Sequence, residues 1–235
     1  MGILGAALVV LAILGGAGLM VWRAWKGQKA REQRLLDLGF TRLPGLPGFQ
    51  ERLEAIYRRS ARQVFKMGSI YEKREQQGHF YIFDLVETSG EDNTWIANGS
   101  AAYISPALNL PRVHISARIP AGKGAAGAWM AGMAERLIDW AVSRAGMTRL
   151  ELLDYPEVDE KLMILAVDEA AALEFFNRKR LDSLLWLADP QRMSEIDCAG
   201  DCFVLKRGPA RQRAGAETEL RLLLEDAGWA LDALR

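Results

Sequence analysis

The side chains with chemistry to offer in this 235-residue chain are two histidines, two cysteines and a scatter of carboxylates. His79 opens an apolar run and His114 sits between Val113 and Ile115. Neither belongs to an H-x-x-x-H or C-x-x-C grouping of the kind that gathers metal ligands, so both read as sheet histidines, which pairing across a sheet would bring together. Cys198 and Cys202 bracket C-A-G-D-C, half a zinc site at most. A cytosolic compartment keeps such thiols reduced, with a disulfide across the turn as the alternative. Asp84 interrupts the apolar FYIFDLV and requires a hydrogen-bond donor if it is partly buried; a structural polar contact is expected of it. The stretch PAGKGAAGAW lacks the spacing of a Walker A loop, and Ala125 stands where a magnesium-binding hydroxyl belongs. It reads as a surface loop that opens a helix. Lys123, Trp129 and Met130 are its candidate contacts with lipid or a partner. No G-x-S-x-G elbow activates a serine. The acids around Pro156 form a solvated turn. No catalytic or metal-binding residue is nominated, and no cofactor is called for.

The elements that hold these residues follow from periodicity. A short helix is expected over residues 28–38, stopped by Gly39, and the Pro/Gly-rich Thr41–Gly48 reads as a connector. Phe49, Leu53, Ile56 and Tyr57 recur at helical spacing over 49–62. Strands are expected at 64–71, 79–87, 93–104 and 112–119, the second apolar on both faces and therefore central, the third with a break at Asn98–Gly99. A helix over 129–145 follows, then strands at 150–153 and 161–167. Asp168 is expected to cap one long helix reaching Leu187. A hairpin of 195–198 with 202–207 precedes a terminal helix over 216–234. The fold class is α+β with a mixed or mainly antiparallel sheet.

The N-terminus decides where that domain resides. Residues 1–22 carry no charged side chain, and residues 23–34 carry five Lys/Arg against Glu32 alone. As a helix, Gly2–Trp22 spans about 31 Å, matching a bilayer's hydrocarbon core of about 30 Å. A cleaved signal peptide would have a basic n-region, a shorter apolar run and a small-x-small cleavage site; a retained anchor fits better. The basic flank of Arg23, Lys26 and Lys29 places the C-terminal side in the cytoplasm and the N-terminus outside, with Trp22 and Trp25 as interfacial aromatics. Ala12 and Gly16, four apart, offer a small-residue face for another membrane helix. Residues 23–80 hold 13 basic and 6 acidic side chains, while the remainder hold 17 and 24, so the net charge of zero conceals a basic membrane-proximal part and an acidic distal one. With the bilayer accounting for the basic patch, no nucleic-acid partner is expected.

In GHFYIFDL at Gly78–Leu85, LPRVHI at Leu110–Ile115, LMILAVDEAAALEFF at Leu162–Phe176 and CFVLKRG at Cys202–Gly208, the chain resembles a group of uncharacterised bacterial single-pass membrane proteins in which an anchor precedes an α+β domain. The resemblance implies the bacterial inner membrane and that architecture, and brings no activity or site residue with it. The organisation expected is an anchor at 1–22, a basic juxtamembrane helix and connector at 23–48, and a soluble domain at 49–235, with a division into lobes at 49–124 and 125–235 left open. The function expected is that of an accessory or scaffold protein binding a membrane protein or complex. The alternative is a tethered enzyme or ligand-binding domain whose site is not identifiable from sequence and assembles from distant residues, Asp84, His79 and His114 being its most plausible members.

Overall fold

A computed structural model describes residues 26–57, 65–89, 94–118, 146–189, 192, 194–207 and 216–235. The expected anchor at 1–22 and the helix at 129–145 lie outside the described residues. Among the described residues, no helix is long and apolar enough to cross a membrane.

Helix α1 covers residues 26–37. It ends where Gly39 turns left-handed at φ +83°. There the Phe40 amide donates to Leu35 O at 3.0 Å and the Gly39 amide to Leu36 O at 2.9 Å. That bond pair is a Schellman stop, completed by burial of Leu35 and Phe40 in one cluster. The connector contains β1 (Thr41–Leu43), a three-residue strand, before α2 (Phe49–Tyr57). Four longer strands follow: β2 (Phe65–Glu75), β3 (Gly78–Ser89), β4 (Thr94–Ile104) and β5 (Leu110–Ala117). β6 is only Thr148–Arg149 and ends before the expected 150–153; beyond it Leu150 is buried and its amide still bonds Ile164 O. A helical turn α3 (Pro156–Asp159) leads to β7 (Leu162–Ala166).

The long helix expected after Asp168 is instead two helices. Asp168 does cap α4 (Glu169–Phe175), accepting from the Ala171 amide. Phe176 is then extended, and Asn177 caps α5 (Arg178–Leu184), which runs on into a 3₁₀ turn at Leu185–Ala188. A second capping side chain inside an apolar stripe is the signal that the stripe belongs to two helices. The hairpin of β8 (Ser194–Gly200) and β9 (Cys202–Arg207) turns at Gly200, φ +60°, and the chain closes with α6 (Ala216–Leu234) at the expected bounds.

All nine strands among the described residues join one antiparallel sheet in the order β1-β2-β3-β4-β9-β8-β5-β7-β6. β3 is flanked on both sides, as its two-sided apolar pattern requires, and β4 pairs with it through Asn98–Gly99 without a break in register. Gly78 begins β3 because backbone approaches too closely for any side chain. A Cβ there would sit 2.5 Å from Ile104 O and 2.8 Å from Tyr103 Cζ.

Cross-strand partners share a face, so the register assigns every side chain. One face presents Ile82, Ala101, Leu205, Ile196, Ile115 and Ile164 to α1, α5 and α6. The other presents Tyr81, Phe83, Ala102 and Val204 to Phe49 and Leu53 of α2. Cys198 belongs to the first cluster and Cys202 to the second. Both are free and buried, so the turn that brings them near in sequence sends their thiols through opposite faces.

Candidate functional site

Of the residues nominated for membrane or partner contact, the structure describes Lys26 and Lys29, both exposed on α1. Ala12, Gly16, Trp22, Arg23, Trp25, Lys123, Trp129 and Met130 lie outside the described residues. What the structure adds is how α1 is seated. Leu35 is fully buried, and Arg31 forms an ion pair with Asp84 on β3. The carboxylate interrupting an apolar strand is thus explained: its donor comes from α1, 53 residues upstream. Between α1 and α6 runs a cleft of about 400 Å³ whose wall includes Arg34, Leu38, Leu220 and Leu224.

Asp84, His79 and His114 do not converge. His79 and Asp84 are five positions apart on β3 and so face opposite sides of the sheet. His114 lies on β5, four strands away across the order β3-β4-β9-β8-β5, about 19 Å at normal strand spacing. Among the described residues no three His, Cys, Asp or Glu side chains are grouped to hold a metal.

Buried polar clusters organise the sheet instead. At the start of β3, Glu72 accepts from His79 Nδ1 at 2.8 Å, Tyr81 Oη at 3.1 Å and Arg74 Nε at 3.1 Å. Burial opposes ionisation of Glu72, yet the hydrogen bonds from His79, Arg74 and Tyr81 together hold its carboxyl below the usual range. Burial, and then the adjacent Glu72 carboxylate, push the Tyr81 phenol up to about 12. The arrangement is a satisfied buried carboxylate.

On the same face, farther along the sheet, His114 Nδ1 lies 2.9 Å from Asp197 Oδ1, while Lys206 pairs with Glu195 and stands 4.0 Å from Asp197 Oδ2. A carboxylate only accepts, so Nδ1 of His114 carries its proton. Its Nε2 faces Glu195 at 3.9 Å, and the ring is 1% exposed, so it presents no base to solvent. Ser100, the register partner of Lys206, is buried with its hydroxyl unpaired.

On the opposite face, Asp226 of α6 is completely buried. It accepts from Arg207 Nη1 at 2.7 Å and Ser194 Oγ at 2.8 Å, and it pairs with Arg192. Arg207 reaches Glu219 as well, at 3.4 Å, and Arg192 stacks over the Trp229 ring at 4.1 Å. These side chains fasten α6 and the turn at Arg192 to the β8–β9 hairpin. The sequence signal was present: Asp226 lies three residues after Leu223 and four before Ala230, inside the apolar stripe of α6. A carboxylate there must meet buried cations.

No protein-family model matches the chain, and no curated protein matches its sequence. Among solved structures, the crystal structure of the mycobacterial trehalose monomycolate transport factor A, TtfA, is similar to it, with a TM-score of 0.52 at 11% identity. The likeness covers 89% of this chain and 94% of that one. At that identity it is a likeness of fold.

Proposed function

We propose that this protein is a membrane-anchored accessory or scaffold subunit that binds a partner membrane protein or complex. The observation carrying the reading is the juxtaposition of a 22-residue uncharged stretch with a helix docked onto the sheet within a few residues of it. Such a strut ties the domain to the bilayer, where a transport or assembly partner resides. The fold likeness to a protein whose name is that of a transport factor supports the same class of role. In this reading residues 1–22 are the anchor, residues 23–235 lie on the cytoplasmic side, and Ala12 and Gly16 face a partner helix. The version of the tethered-enzyme alternative that gathers Asp84, His79 and His114 loses its ground, because Asp84 and His79 face opposite sides of β3 and His114 lies four strands away. Extraction in mild detergent followed by native electrophoresis and mass spectrometry tests the proposal. Comigration with a larger assembly is expected. Monomeric migration under conditions that preserve other membrane complexes would overturn it.

A further inference from the structure

The cleft between α1 and α6 combines two properties that the clusters inside the sheet lack: it opens to solvent, and it is built on the helix that follows the expected anchor. Its floor is apolar, with Leu220 buried and Leu38 and Leu224 half-buried. Its rim carries two guanidiniums from opposite walls, Arg34 of α1 and Arg221 of α6, against one acid, Glu217. Arg221 keeps 69% of its side chain exposed, with only a 3.9 Å approach to Glu225. At about 400 Å³ the cleft falls within the range that holds a small ligand or a lipid headgroup with its first methylenes.

We propose that this cleft binds the headgroup of an anionic phospholipid of the cytoplasmic leaflet, its phosphate between Arg34 and Arg221 and its upper acyl carbons on Leu38, Leu220 and Leu224. The proposal rests on the membrane-anchored reading and deepens it by naming what the domain touches. Charge and reach select this occupant. Arginine pairs with phosphate through two parallel N–H donors, and an apolar floor beneath two cations matches an amphiphile with an anionic head. Arg34 lies twelve residues beyond Trp22. Eight helical steps contribute about 12 Å, and four extended residues at most about 14 Å, so the tether keeps the rim within about 26 Å of the end of the apolar stretch. A helix α1 lying along the membrane surface places the cleft in the headgroup layer.

The test uses the full chain in nanodiscs with a Thr218→Cys substitution, labelled with a bimane fluorophore. Thr218 is exposed on the cleft wall, whereas both native cysteines are buried. Discs of phosphatidylcholine are doped with brominated phosphatidylglycerol, or with brominated phosphatidylcholine at the same fraction. Preferential quenching by the anionic lipid is expected, falling about five-fold for each of Arg34→Gln and Arg221→Gln. Retention is expected in Arg34→Lys with Arg221→Lys and in the distant control Lys179→Gln. Thermal melts confirm that these exposed substitutions leave the fold intact. Equal quenching by the two lipids, or none, in a chain that stays with the discs overturns the lipid site alone. Release of the chain from the discs overturns the anchor and the lipid site together.

Discussion

Replacing Asp226 with Ala should be among the most damaging single substitutions in the described fold. The carboxylate is completely buried and receives Arg207, Arg192 and Ser194. After truncation, Arg207, with 4% of its side chain exposed, retains only the 3.4 Å contact to Glu219. Removing one partner from a buried pair costs about 3–5 kcal/mol, since it strands the other charge. With a urea slope of about 2 kcal/mol/M, the midpoint should fall by about 1.5–2.5 M. Tryptophan fluorescence is the natural assay, because Arg192 stacks on Trp229 and Trp229 packs edge-on against Trp186 at 5.6 Å. The double replacement Asp226→Leu with Arg207→Met removes both charges and should recover much of the loss. A loss under about 1 kcal/mol for Asp226→Ala would refute the reasoning, showing that solvent or a neighbour neutralises Arg207.

Two further outcomes follow from the same structure. Tyr81, pushed up to about 12 from 10.0, should ionise late in a titration followed by phenolate absorbance. A raised folded value means its stabilising contribution is intact below pH 10 and lost as pH rises through 12, the loss reaching about 2 kcal/mol at the top of that window; Tyr81→Phe should flatten that limb of the stability profile. Burial raises both thiols, Cys202 to about 12, so neither should react with a thiol reagent at pH 8 until the chain is unfolded. Mild oxidation should leave them unlinked, as judged by mass.

Legibility in the sequence followed the range of the interactions. Local rules located α6, whose leucine stripe has helical period, the Asp168 cap, and the β8–β9 turn at a left-handed glycine. β1 was hidden because Thr41–Leu43 sits between Gly39 and Pro44, where composition indicates a connector; only pairing with Ile70–Glu72 makes it a strand. The break at Phe176 was concealed by its own side chain, which continues the apolar stripe that Asn177 interrupts. The polar clusters required tertiary pairing. His114 and Asp197 are 83 positions apart, and nothing local to either predicts the other. Asp84 announced its need for a donor, but not that Arg31 would supply it.

The strand order carries a consequence for biosynthesis. The hairpin β8–β9 is inserted between β4 and β5, so it joins two strands that precede it in the chain and are neighbours in sequence but not in space. β4 ends at Ile104 and β9 at Arg207, a gap of about 100 residues, which a ribosome covers in roughly 5–20 s. During that interval the edge of β4 destined for β9 and the edge of β5 destined for β8 await partners that do not yet exist. The sheet therefore closes from its middle, last of all, and a nascent chain stalled before Ser194 carries two unpaired edges, the form most prone to associate with its neighbours on a polysome.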